Sequence, residues 1–191
     1  STAWGLRLWG FPHRSHRMNL RLSILTAALA STALAGCATT SSRSSASAQL
    51  APATGQSASG TLTLVPRGNG VQITGNIAGL KANGTHGFHI HEKGDCSAAD
   101  FTSAGGHFNP TAQPHGRANS NAHHLGDQDN LAANADGVAR VDAHFDGVVI
   151  GSGTALNDVV GKAVIVHADP DDYTTQPTGN AGGRIACGVI R

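Results

Sequence analysis

Nine of the eleven histidines lie between residues 86 and 167, too dense for scattered surface polarity. Imidazole is the commonest metal-binding side chain, so the question is which rings can meet at one ion. In Gly87-Phe88-His89-Ile90-His91 an extended backbone sends successive side chains to opposite faces. His89 and His91 then share one face, while Phe88 and Ile90 face a core. By the same parity His86 falls with Phe88, where a hydrogen-bonded structural role suits it. Further on stand His107, His115, His124 and Asp127, and His167 ends the apolar run Ala163-Val164-Ile165-Val166. Three His and a carboxylate suit tetrahedral zinc, whereas several imidazoles in a flatter arrangement suit copper. Two metals are therefore expected. A zinc hydrolase is disfavoured, because it needs a carboxylate base at an open zinc position and the only Glu, Glu92, sits in the strand bearing His91.

Strands must position these rings. Gly60 to Val65 and Val71 to Ile77 alternate apolar and polar residues around Pro66-Arg67-Gly68-Asn69-Gly70, which predicts a β-hairpin. His86 to Glu92, Gly137 to Phe145, Ala163 to Ala168 and Arg184 to Ile190 are further strands. Two long segments, Lys93 to about Asn134 and Asp169 to Gly183, break the rhythm. Loops of that length are uncommon in compact domains unless they carry function, and both hold or adjoin the residues of chemical interest.

Composition narrows the classes. With one Glu and three Lys in 191 residues, the mixture needed for helical bundles is missing. From residue 37 onward 9 basic side chains face 12 acidic ones, a balance of 9 − 12 = −3, which argues against a nucleic-acid partner. Residues 1–17 precede the only Met, Met18, and are set aside as an upstream segment. Asn19 and Arg21 form a short polar, positive stretch before the apolar run Leu22 to Ala33, the pattern of a signal peptide over residues 18–36. It ends in Leu34-Ala35-Gly36-Cys37, which resembles the bacterial lipobox. The resemblance implies cleavage before a lipidated Cys37, membrane attachment, and a place on the periplasmic side of a bacterial envelope. Ala38 to Ser59 is almost wholly small and polar, so residues 37–59 are expected to be a flexible tether and the folded domain to span 60–191.

His86-Gly87-Phe88-His89-Ile90-His91-Glu92, Gly105-Gly106-His107-Phe108-Asn109-Pro110, His124-Leu125-Gly126-Asp127 and Gly179-Asn180-Ala181-Gly182-Gly183-Arg184-Ile185-Ala186-Cys187-Gly188-Val189-Ile190 together resemble the signatures of the copper,zinc superoxide dismutase family, in order and spacing. The resemblance implies an all-β fold: a flattened, sandwich-like Greek-key barrel of eight antiparallel strands with two long functional loops. It implies one copper on His89, His91, His107 and His167, and one zinc on His107, His115, His124 and Asp127. His107 would bridge the two, and the pattern selects His124 over its neighbour His123. Asp171 matches a carboxylate that links ligands of both metals, and Arg184 matches an arginine over the copper channel. His107 and Arg184 are thus the expected catalytic residues, with superoxide as substrate, converted to dioxygen and hydrogen peroxide. Cys96 and Cys187 are expected to form a disulfide that ties the first long loop to the last strand and holds the backbone that orients Arg184. Tyr173 to Thr178 departs from the animal-type pattern, being short and without Lys or Glu, so the source of substrate steering there cannot be copied. With aromatic residues at 4%, the surface does not reveal whether the chain stays a monomer or forms a homodimer, nor by which face.

Overall fold

Alternation is cleanest in Thr61-Leu62-Thr63-Leu64, and there the chain is a strand with both leucines fully buried and both threonines exposed. The computed structural model describes residues 45–151 and 153–191. The expected signal peptide, lipobox and Cys37 lie outside the described residues. Among these residues the chain forms β1 (Ala46–Pro52), β2 (Ser59–Arg67), β3 (Gly70–Ala78), β4 (Thr85–His86), β5 (Phe88–His91), β6 (Leu131–Ala132), β7 (Ala139–Asp146), β8 (Ala163–His167) and β9 (Arg184–Val189). A single 3-10 turn at Thr102–Ala104 is the only helical segment described.

The main sheet is antiparallel throughout, in the order β5-β8-β9-β1-β2-β3-β7, and β4 pairs with β6. β4 continues into β5 across Gly87, and β6 lies against β7, so the short pair joins the two ends of a curled sheet. Counting β4 and β5 as one interrupted strand gives the eight antiparallel strands of the expected barrel. The interruption has a local cause. Gly87 N donates to Asp169 O and Gly87 O accepts from His167 N, both at 2.9 Å, so here the strand changes partners.

β1 corrects the expected tether. Residues 46–52 are a strand in which Ala46, Ala48 and Leu50 are buried while Ser47, Gln49 and Ala51 are exposed. The period of two was present, but carried by alanines that composition alone assigns to flexible chain. The ordered domain therefore begins well before residue 60. The first hairpin is also tighter than expected: Arg67 pairs with Gly70, leaving Gly68-Asn69 as a two-residue turn with Gly68 at φ 57°, and Pro66 stays in the strand.

Two apolar clusters position the site. Leu62, Leu64, Val71, Ile73, Phe88, Ile90, Val141, Phe145, Val164 and Val166 belong to the barrel interior, where Phe88 meets Phe145 edge-on at 6.1 Å. Outside the sheet, Ala163, Ile165 and Cys187 pack with Ala53, Phe101 and Ala104. This second cluster explains why β5 and β8 are buried on both faces and show no polar alternation. It also holds the first long loop against the sheet, since burying a side chain such as Ile165 or Phe101 stabilises by about 1.5–3 kcal/mol.

Candidate metal centre

The outer face of β5 and β8 carries His89, His91 and His167, because His89 pairs with Ile165 and His91 with Ala163 in register. Strand parity puts His167 on the face of Ala163 and Ile165, and the pairing of β8 with β9 shifts register between Val166 and His167. The first long loop then closes on β5: Phe108 N donates to Ile90 O at 2.8 Å, Ile90 N to Gly126 O at 2.9 Å, and Glu92 N to Gly106 O at 2.9 Å. Gly126 has to be glycine, since a Cβ there would lie 2.2 Å from Ile90 O. This pairing brings His107, His115, His124 and Asp127 over the strand.

Ligand atoms of His89, His91, His107 and His167 all lie within 4.8 Å of one another, and so do those of His107, His115, His124 and Asp127. All seven residues are buried. The sequence-predicted residues are thus brought together in two adjoining clusters that share His107. His86 and His123 stay outside both. His86 Nδ1 donates to His167 O at 2.9 Å, the structural role expected of it, and His123 Nδ1 donates to His124 O at 2.7 Å.

Hydrogen bonds on the far side of the rings decide which nitrogens are bare. His91 Nδ1 donates to Gly105 O at 2.9 Å and His167 Nδ1 to Gly182 O at 3.2 Å, so both Nε2 atoms are lone pairs, 3.4 Å apart and facing each other. Asp171 accepts from His89 Nε2 at 2.7 Å on one oxygen and from His115 Nε2 at 3.0 Å on the other. That leaves His89 Nδ1 and His115 Nδ1 bare, and neither has a hydrogen-bond partner; nor does His107 Nε2. Buried lone pairs converging without donors are costly unless a cation takes them, so the donor set fits a metal. On the second side, His107 Nδ1 lies 2.7 Å from Asp127 Oδ1, and His115 Nδ1 and His124 Nδ1 each lie 3.1 Å from it. Tetrahedral ligands about 2.0 Å from zinc are about 3.3 Å apart, so three nitrogens and one carboxylate oxygen are close to zinc spacing. Asp127 Oδ2 is anchored by Gly116 N at 3.1 Å and His124 N at 2.8 Å.

Electrostatics separate the two sides. Burial, reinforced by the neighbouring rings, lowers His107 to about 4 and His167 to about 3, and holds His91 well below the ordinary imidazole value. These rings are neutral at pH 7, as metal ligation requires. At His115 burial also pulls downward, but without a metal the nearby Asp127 and Asp171 carboxylates outweigh it and raise the ring to about 9; a cation at Nδ1 would take the place of that proton. Asp127 and Asp171 are both lowered, since their histidine partners outweigh the opposing burial.

Arg184 donates to Phe101 O at 2.7 Å and to Gly105 O at 2.6 Å. Cys96 and Cys187 form the disulfide, 5.8 Å apart at Cα, and it ties down the loop that supplies both carbonyls. The acceptors are therefore not Cys96 itself but residues beyond it in the same loop. A cleft of about 410 Å³ opens beside the guanidinium, lined in part by Asp100, Gly182 and Gly183. Sequence reasoning missed Asn130, whose side chain bonds both backbone groups of Asp171, with Asn130 Nδ2 to Asp171 O at 2.9 Å and Asp171 N to Asn130 Oδ1 at 2.8 Å. Its only signal was its place three residues past Asp127.

A family described as copper/zinc superoxide dismutase (SODC) matches residues 58–190. The superoxide dismutase (Cu-Zn) 2 of Aquifex aeolicus (strain VF5) is 42% identical over 134 residues, covering 69% of this chain and 78% of that protein. The superoxide dismutase (Cu-Zn) of Caulobacter vibrioides (strain ATCC 19089 / CIP 103742 / CB 15) is 43% identical over 136 residues, again 69% and 78%. The crystal structure of a SOD-like protein from Bacillus subtilis, 36% identical, aligns with a TM-score of 0.69 over 76% of this chain and 97% of that one. A match that runs through every strand from β2 to β9, and through both histidine clusters between them, leaves one assignment: the chain belongs to the copper/zinc superoxide dismutase family.

Proposed function

We propose that His107 is shared between the two metals in the superoxide dismutation that this enzyme performs with copper and zinc. The observation that carries the reading is the geometry of one ring: Nδ1 of His107 faces Asp127 in one cluster, and its Nε2, buried and without a partner, faces the other. His89, His91, His107 and His167 would hold copper, and His107, His115, His124 and Asp127 would hold zinc. When bound, copper supplies a one-electron acceptor and donor, and zinc a fixed positive charge that does not change redox state.

Two superoxide anions and two protons give one dioxygen and one hydrogen peroxide; the first anion loses an electron and the second gains it with both protons. His107 Nε2 is the chain's atom placed to hold one of those protons and hand it to the reduced product. Arg184 draws the anion in, because a guanidinium stays charged and the backbone carbonyls fix its fork. Asp171, braced by Asn130, fixes the tautomers of His89 and His115.

The same reading places the enzyme outside the cytoplasm, against superoxide arising there. The leader-like residues 18–36, the lipobox at Cys37 and a disulfide suited to an oxidising compartment support it. Protein reconstituted with copper and zinc should disproportionate superoxide, with one of each metal per chain. Cobalt(II) in the zinc cluster should couple magnetically to copper(II) through the shared ring; an uncoupled copper signal with both clusters filled would remove His107 from the bridge. Mass spectrometry of the exported protein should find a lipidated Cys37, and an unmodified terminus elsewhere would end the anchoring proposal.

A further inference from the structure

Loop 168–183 reaches the zinc-side cluster at more places than the Asp171 carboxylate. Gln176, an exposed residue, lays its amide along the backbone of His115: His115 N donates to Gln176 Oε1 at 2.8 Å, and Gln176 Nε2 donates to His115 O at 2.8 Å. One planar amide thus satisfies both backbone groups of one residue, which fixes the orientation of the chain there as well as its position. Gln176 Nε2 also approaches Thr174 O at 3.3 Å, which ties the amide to its own loop. On the ring side, His115 Nε2 meets Asp171, and Gly179 packs so closely over this contact that a Cβ would lie 2.6 Å from Nε2. His115 is therefore gripped from residues 171–179 at its backbone and at its ring.

The other rings of that cluster are held differently. His107 sits in a backbone bridge to His91, and His124 N donates to Asp127 Oδ2 within its own turn. His115 alone depends on the second loop for its placement.

We propose that Gln176 is a positioning residue for metal binding, presetting His115 so that Nδ1 points at Asp127 and slowing loss of the metal held there. The inference rests on the reading of His115 as a zinc ligand. Loss of a partner outside the ligand set typically costs 10- to 100-fold in metal affinity, so release about tenfold faster is the expected effect.

The test uses the metal-loaded protein and its Gln176→Ala, Gln176→Glu, Gln176→Asn and His115→Ala variants. Zinc release to excess chelator gives the rate, and the visible spectrum of cobalt(II) placed in the zinc cluster reports ligand geometry. Because Gln176 is exposed, its replacement opens no cavity and folding should survive, which far-ultraviolet circular dichroism checks. Gln176→Ala and Gln176→Asn should release zinc about tenfold faster, the second because the chemistry is unchanged but the reach is one methylene short. Gln176→Glu should be at least as fast as Gln176→Ala, since it sets a carboxylate oxygen against His115 O, and the cobalt bands should shift in each variant. If Gln176→Glu behaves like the parent, the residue only fills space and the proposal fails. It fails equally if Gln176→Ala releases zinc within twofold of the parent while His115→Ala loses the cobalt bands. If His115→Ala keeps those bands, the ligand reading itself is wrong and the inference falls with it.

Discussion

Arg184 and His91 share a single acceptor, the carbonyl oxygen of Gly105, which takes the guanidinium at 2.6 Å and the imidazole Nδ1 at 2.9 Å. The guanidinium proposed to attract substrate and a ring of the cluster proposed to hold copper are thus placed by one peptide. Gly105 stands at φ 72° and ψ −156°, a region open almost only to glycine. A Cβ there would also lie 2.4 Å from Glu92 Oε1, although that side chain can swing aside.

Gly105→Ala should therefore disturb both partners together. The expected result is a fall of about 1–3 kcal/mol in stability, a shifted copper(II) spectrum and a lower kcat/KM, with zinc content retained. Visible spectroscopy and metal analysis on one sample check it; a changed rate with an unchanged copper spectrum would uncouple the two residues.

Arg184→Ala should leave copper and zinc in place while lowering kcat/KM and weakening inhibition by small anions. The rate should also lose part of its dependence on ionic strength, because some of the attractive field screened by salt is gone. Arg184→Lys should restore the salt dependence only partly, since an ammonium cannot reach Phe101 O and Gly105 O with one rigid fork. Rates measured across a salt series give the answer, and a full rate with the parental slope in Arg184→Ala would move the steering elsewhere, Lys93 being the next cation to test.

Asp171→Asn should weaken zinc binding about 10- to 100-fold, because one oxygen becomes a donor and either His89 or His115 loses its acceptor. Asp127→Ala should be harsher. It removes a ligand atom together with the anchor of Gly116 N and His124 N, so both zinc content and melting temperature should drop. Metal competition and calorimetry separate the two effects, and equal zinc affinity in Asp171→Asn and parent would overturn the role given to Asp171.

Acid should act at Asp172. Hydrogen bonds from Thr175, with further ones from Thr174 N, hold its carboxyl down at about 2. The unfolded value is about 3.9, so the folded state favours the charged form. Its stabilisation is fully present above the unfolded value and is lost as pH falls through the folded one. In metal-free protein, Asp172→Ala should melt lower than the parent at pH 6, and the gap should close between about pH 4 and pH 2. A gap independent of pH would mean that the side chain acts by packing alone.

How far the sequence was legible depended on whether a residue's partner was a side chain with a pattern or a backbone atom without one. His89 and His91 were readable because strand parity alone puts them on one face. His107, His115, His124 and Asp127 needed the family resemblance, since their meeting depends on loop-to-β5 pairing that has no period of its own. Gln176 was invisible because it binds peptide groups, which every residue offers. β1 was hidden for another reason: Ala46 and Ala48 bury little area each, so the strand is specified by its pairing with Leu64 and Leu62 more than by its own hydrophobicity. β6 is two residues long and stood inside the expected first loop. It joins the ends of the curled sheet without any run of sequence that could announce it.

The Cys96–Cys187 bond closes a ring of chain 91 residues in sequence separation, and His107, His115, His124, Asp127, His167, Asp171 and Arg184 all lie on that ring. His89 and His91 lie outside it, reaching the centre only through the pairing of β5 with β8. Synthesis runs from the N-terminus, so Cys187 emerges after every other residue of the centre. The covalent enclosure can therefore form only after every residue of the centre has been synthesised. Oxidation of one sulfur pair then acts as a completion mark: it can form only on a chain that already owns its whole set of ligands.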